Sequence, residues 1–196
     1  MKNLNLLAVL SLIVLSVFLC CQIVYAQMAP DFTLTDIDGN VFSLSDFRGK
    51  VVLLDFFATW WGPCRAEMPH LKALNEKFGE ELVIISISVD PNYDSVERLK
   101  SFRQDYNITW TLARDTINVQ AQYNVTAIPT LYIIDQNGYV RFHHVGLTEE
   151  DALTTEISQI VPEFPTSLPT IILFIIIGLA TLKLKYKLTK IGKQQH

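Results

Sequence analysis

The stretch Thr59-Trp60-Trp61-Gly62-Pro63-Cys64-Arg65 contains a cysteine where thiol chemistry would use two. A pair of cysteines two residues apart at the start of a helix divides the work. The helix N-terminus stabilises the first as a thiolate that attacks a disulfide, and the second, one turn on, resolves the mixed disulfide. Cys64 stands in the second position and Trp61 in the first. An indole cannot attack a disulfide, and it puts bulk where a substrate sulfur would approach. The other cysteines, Cys20 and Cys21, fall in an N-terminal segment expected to be removed. The mature chain then has one thiol and can close no internal disulfide.

The groups that could assist such a site are Asp55, six residues before Trp61, Glu67, three after Cys64, and Pro129 in Val125-Thr126-Ala127-Ile128-Pro129-Thr130. Taken alone, Asp55 reads as a satisfied buried carboxylate and Glu67 as a surface residue of a first helical turn. Trp60 reads as an aromatic cover over a strand end. Pro129 is more telling, because a proline opening a buried strand caps it or is cis. His70, His143 and His144 lack metal-ligand spacing and read as solvated, so no metal and no cofactor is expected.

The elements that must position these residues follow from periodicity. Residues 31–44 alternate around Asp38-Gly39-Asn40, as a β-hairpin does. Residues 50–58 and 82–89 are continuous apolar runs rich in β-branched residues, as strands buried on both faces are. Between them Ala66, Met68, Leu71, Leu74 and Phe78 recur at helical spacing, and Gly79 ends the helix. Residues 93–106 predict an amphipathic helix, 109–112 a short strand and 117–123 a helix. A hairpin over 128–145, turning at Gln136-Asn137-Gly138, and a helix over 149–160 complete the pattern. Strands alternating with helices and then a hairpin imply an α/β domain with a mixed sheet.

Both ends look unlike this domain. Residues 1–26 combine Lys2, an apolar run and Val24-Tyr25-Ala26, the pattern of a signal peptide cleaved after Ala26. A lipoprotein reading through Cys20 or Cys21 is weaker, because Leu19 and Cys20 are not small. A proline-containing spacer, 161–167, leads to an apolar run, 168–184, and a lysine-rich tail, 185–196. The run reads as a transmembrane helix with the lysines on the cytoplasmic side, which puts the domain outside the cytoplasm. Residues 161–165 also resemble PEF-type C-terminal sorting signals, and Asn107 and Asn124 each open a glycosylation sequon. Residues 27–163 hold all twenty acidic residues and ten of the sixteen basic ones, a net charge near −10. Nucleic acid and anionic headgroups are poor partners for such a surface.

Residues 29–69, from Ala29-Pro30-Asp31-Phe32 to Glu67-Met68-Pro69, together with 125–130 and Leu131 to Val140, resemble the TlpA/ResA-like branch of extracytoplasmic thioredoxin-fold proteins. The resemblance spans nearly the whole of residues 27–160. It implies a thioredoxin-like fold with a mixed central sheet, flanking helices and an N-terminal β-hairpin extension. It implies protein thiols, disulfides or unfolded polypeptide as partners. In that family's pattern Cys64 matches the resolving cysteine, Glu67 the acid that tunes it, Asp55 the buried acid that assists proton transfer, and Pro129 the facing cis-proline. Trp61 replaces the attacking cysteine. A redox-inactive module binding peptides through Trp60, Trp61, Ile128 and Pro129 is the alternative reading. A one-cysteine peroxidase is a third. Peroxiredoxin-like sites place a threonine and an arginine where this chain has Trp61 and Pro129, which weakens it.

Overall fold

The structure, a computed structural model, describes residues 27–161. The expected N-terminal signal segment, the span at 168–184 and the basic tail lie outside the described residues. Among the described residues no helix is long and apolar enough to cross a membrane.

A short antiparallel hairpin comes first, β1 (Thr33–Thr35) with β2 (Val41–Ser43). Its turn is held by Asp36, whose carboxylate accepts from the N–H groups of Asp38 and Asn40, both at 2.8 Å, while Gly39 takes φ +94°. The main sheet has five strands in the order β5-β4-β3-β6-β7: β3 (Val51–Phe57), β4 (Leu82–Ser88), β5 (Thr111–Arg114), β6 (Thr130–Ile134) and β7 (Val140–Val145). β3, β4 and β5 run parallel, and β6 and β7 are antiparallel to their neighbours. Four helices complete the fold: α1 (Gly62–Phe78), α2 (Val96–Tyr106), α3 (Val119–Gln122) and α4 (Glu150–Ile160).

Every residue of β3 is buried, and its alternation divides the core. Val51, Leu53 and Phe57 pack with Met68, Leu71 and Leu74 of α1, Leu99 and Phe102 of α2, and Leu153 and Ile157 of α4. Val52, Leu54 and Phe56 pack on the other face with Phe32, Leu34 and Phe42 of the hairpin segment and with Val119 and Tyr123. Position 55 belongs to the face that α1 covers.

Three boundaries differ from the periodicity, each for a local reason. α2 starts at Val96 instead of residue 93 because Ser95 caps it, its hydroxyl accepting from the Arg98 N–H at 3.2 Å. The strand expected at 109–112 is shifted to 111–114, since Ile108 and Trp110 turn into the core first. The helix expected over 117–123 keeps only 119–122. Asn118 and Asn124 adopt φ +62° and +53°, and the Asp115 carboxylate accepts from the N–H groups of Val119 and Gln120 at 2.7 and 2.8 Å. β6 begins after the cis Ile128–Pro129 bond.

Both ends of the described chain are tied to the β6–β7 turn. Gln27 O accepts from Val140 N–H at 2.8 Å, and Gln136 donates from Nε2 to the Ile160 carbonyl at 2.7 Å.

Asp115→Ala removes the acceptor of two N–H groups at the start of α3. The substitution is expected to lower stability by about 1–3 kcal/mol, read from urea denaturation. An unchanged midpoint contradicts that role.

Candidate functional site

β3 ends at Phe57, and Ala58 and Thr59 carry the chain over the sheet edge to Trp60 and Trp61. Trp61 is the N-cap of α1, extended at φ −84° and ψ 121°, and its carbonyl accepts from Arg65 N–H at 3.1 Å. Pro63 falls in the first turn, where its missing N–H costs nothing. The turn itself is fixed from the side. The Asp94 carboxylate is fully buried and accepts from the Thr59 N–H at 3.1 Å, the Thr59 hydroxyl, and the Ser88 hydroxyl at 2.6 Å.

Cys64 lies one turn into α1 with no exposed surface and is the free cysteine of the described residues. Burial pushes its thiol up to about 12, opposed by a hydrogen bond at the Ala58 backbone and reinforced by the carboxyl groups of Asp55, Glu67 and Asp94. No cation contributes in the other direction. Glu67 corrects the reading of a surface residue. It has no exposed area and lies on the inward face with Cys64, Met68, Leu71 and Leu74. Its Oε1 accepts from Thr148 N–H at 3.2 Å, and Oε2 has no partner among the described residues. Asp55, under α1 on β3, accepts from the Ser86 hydroxyl at 2.7 Å, and Ser86 in turn accepts from Trp110 Nε1 at 3.0 Å. Asp55 Oδ1 has no partner among the described residues. Burial raises Asp55 to about 7, and burial together with the Asp55 charge raises Glu67 to about 9.

Pro129 is placed by strand register. Thr130 pairs with Phe56, so the cis-proline flanks the end of β3 from which α1 departs. Ile128 packs against the core cluster that includes Cys64, and the Pro129 carbonyl accepts from Gly146 N–H at 2.8 Å. The structure thus gathers Asp55, Trp60, Trp61, Cys64, Glu67, Ile128 and Pro129 at one end of the sheet.

Outside this buried group is an aromatic edge. Trp60 is 43% exposed and Trp61 40%, with ring centroids 5.8 Å apart. Trp60 donates from Nε1 to Asp90 Oδ2 at 3.1 Å and meets the ring of Tyr93, itself 46% exposed, at 6.4 Å. Sequence reasoning missed Tyr93, Asp90, Asp94, Ser86 and Thr148. Ser86 and Ser88, alternating within an apolar strand, were the available signal; the loop residues offered none.

The histidines are less solvated than their spacing suggested. His70 Nδ1 is 2.9 Å from the Thr148 carbonyl, and His144 Nε2 is 2.7 Å from Glu156 Oε2. The exposed His143 ring stacks on Tyr132 at 4.3 Å. Among the described residues no three His, Cys, Asp or Glu side chains are placed to hold a metal.

Comparison with known proteins defines the class. The AhpC/TSA family matches residues 25–143. The thioredoxin-like protein YneN of Bacillus subtilis is 38% identical over 120 residues, 61% of this chain and 71% of that protein. The thiol-disulfide oxidoreductase ResA of Geobacillus kaustophilus is 35% identical over 136 residues, 68% of this chain and 76% of that one. A solved structure from Chlorobium tepidum, assigned to the DsbE thiol:disulfide interchange proteins, superposes with a TM-score of 0.63 at 32% identity, covering 70% of this chain and 97% of the other. The chain belongs to the AhpC/TSA family, and within it to the thioredoxin-like thiol-disulfide oxidoreductases, as the sequence resemblance implied.

Two outcomes are expected. An acid whose pKa is raised in the folded state binds its proton more tightly there than in the unfolded chain, so stability falls as pH rises between the two pKa values. For Asp55 that window runs from 3.8 to about 7, and for Glu67 from 4.5 to about 9. Each titrating group contributes a slope of roughly 1.4 kcal/mol per pH decade at most. Thermal melts should therefore show declining stability from pH 5 to 9, and Asp55→Asn should flatten the lower part of that decline. A pH-independent melt contradicts the burial of these acids. Separately, Cys64 should react with iodoacetamide roughly a hundredfold or more slowly in the native chain than in the unfolded one. Comparable rates contradict a sequestered thiol.

Proposed function

We propose that this chain is a membrane-anchored, extracytoplasmic thioredoxin-like protein that has lost dithiol exchange and binds an extended polypeptide across Trp60, Trp61, Ile128 and Pro129. The observation that carries the loss is Trp61 at the N-cap of α1, where an attacking sulfur would stand, with Cys64, the one cysteine of the described residues, fully buried one turn on. At neutral pH Cys64 supplies almost no thiolate, and Trp61 offers no sulfur. A one-cysteine peroxidase would need a cation to stabilise a thiolate and orient peroxide, and the charged groups acting on Cys64 are all carboxyls.

The binding half of the proposal is supported by the exposed indoles beside a cis-proline loop, apolar anchors that also exclude water. The extracytoplasmic, anchored placement is supported by the leader pattern of residues 1–26 and by the apolar run and lysines of 168–196. Retention of Asp55 and Glu67 favours a second reading, in which a partner supplies the missing thiol and these acids still move its protons.

The test restores the sulfur. The wild-type chain is expected to leave a model disulfide unreduced beyond the uncatalysed rate. Trp61→Cys should gain turnover and a titratable internal disulfide, because the new thiol would stand at a helix N-terminus three residues from Cys64. Turnover by the wild type alone overturns the proposed loss. Wild-type turnover that appears only with an added thiol-bearing partner supports the second reading.

A further inference from the structure

Beside the aromatic edge, a recess of about 170 Å³ is lined by Thr59, Arg65, Tyr93, Arg98, Ser101, Phe102 and Asp105. Both arginines are anchored by backbone carbonyls. Arg65 donates from Nε to Thr59 O at 2.6 Å, and Arg98 from Nε to Tyr93 O at 3.1 Å. The Arg98 guanidinium also lies 4.2 Å over the Tyr93 ring. Each anchorage uses Nε and leaves the Nη donors of the fork without a hydrogen-bond partner among the described residues. No ion pair among the described residues involves Arg65 or Arg98, whereas Arg103 and Arg141 each face a carboxylate within 4.0 Å.

Two pre-oriented guanidiniums in one small recess suit a planar oxyanion, which each can meet with parallel N–H donors. Both side chains are exposed, and neither lies within ion-pair distance of a carboxylate among the described residues, although Asp105 lines the same recess. Asp105 in the lining sets the class, since its charge disfavours a dianion such as phosphate more than a singly charged carboxylate. Tyr93 forms a wall of the recess and also touches Trp60. A chain lying over the indoles can therefore lower a side chain into it.

We propose that the recess is a specificity site that receives the side-chain carboxylate of an Asp or Glu in the bound polypeptide. The carboxylate site stands on its own geometry, and its place on a polypeptide rests on the groove reading above. The probe is N-acetyl-glutamic acid α-amide, titrated into the full chain in detergent and followed by the NMR signals of Arg Nε–H and Trp Nε1–H. Saturable shifts are expected at Arg65, Arg98 and Trp60, with none from the glutamine analogue and weaker binding of inorganic phosphate. Arg65→Gln and Arg98→Gln should each weaken the probe about tenfold or more. Ser101→Glu, which fills the recess with a competing carboxylate on an exposed helical position, should abolish binding should either arginine variant misfold.

No saturation, equal binding of the glutamine analogue, or tighter binding of phosphate overturns the proposal. A pair of amidated heptapeptides differing only in Glu against Gln separates it from the groove reading. If both bind equally, the groove stands and this inference falls. If the single-residue probe binds and neither peptide does, the carboxylate site stands and the groove falls. A tenfold preference for the Glu peptide supports both.

Discussion

Every residue of β3 is buried, and the rest of the molecule is arranged to keep it so. A strand buried on both faces needs a layer on each. Three helices supply one, and the hairpin with α3 supplies the other. The same burial forces Asp55 inward beneath α1, where its charge cannot be hydrated. Glu67 and Cys64 descend onto it from the helix, so three titratable groups share one low-dielectric space. Each is held toward its neutral form by the same cause. The chemistry of this end of the sheet is thus a consequence of how completely its central strand is enclosed.

That enclosure has different meanings for the scaffold and for the reaction. Two buried carboxyl groups with unpartnered oxygens cost stability, and a fold under selection for stability alone would replace them with apolar residues. Asp55 lies beneath, and Glu67 on the inward face of, a helix whose N-cap is Trp61, an indole with no sulfur to exchange. The chain's kinship is with thiol-disulfide oxidoreductases, and Trp61 holds the N-cap of its first long helix. The exposed indoles give that position different properties, with large rigid apolar surface next to charged groups held in place.

Much of the architecture was legible because it depends on patterns within one element. The apolar runs at 50–58 and 82–89, the helical stripe through Met68, Leu71 and Leu74, and the turn residues at Gly39 and Gly138 each act within a few residues. Glu67 could have been placed as well, since positions 64, 67, 68, 71 and 74 share one helical face. The direction of Asp55 could not be read, because an unbroken apolar run hides which alternate residues face which layer. The curtailed α3 was foreshadowed by Asp115, Asn118 and Asn124, residues that favour caps and left-handed turns, but a periodicity count gives them no weight. Asp94, Tyr93 and Arg98 reach the site across some thirty-five residues of chain, and only tertiary packing brings a loop after β4 against a turn after β3.

The ties that hold Gln27 and Ile160 to the β6–β7 turn fix a polarity for the domain. β6 runs antiparallel to β3, so the end of β6 lies beside the beginning of β3, at the pole opposite Trp61. Entry and exit of the described chain therefore share one pole, and the indoles occupy the other. Any body joined to either end is separated from the aromatic edge by the full length of the central strand, seven residues or roughly 23 Å at strand rise. Both ends of the described chain thus leave the aromatic end clear, so that whatever meets the indoles approaches from the pole opposite Gln27 and Ile160.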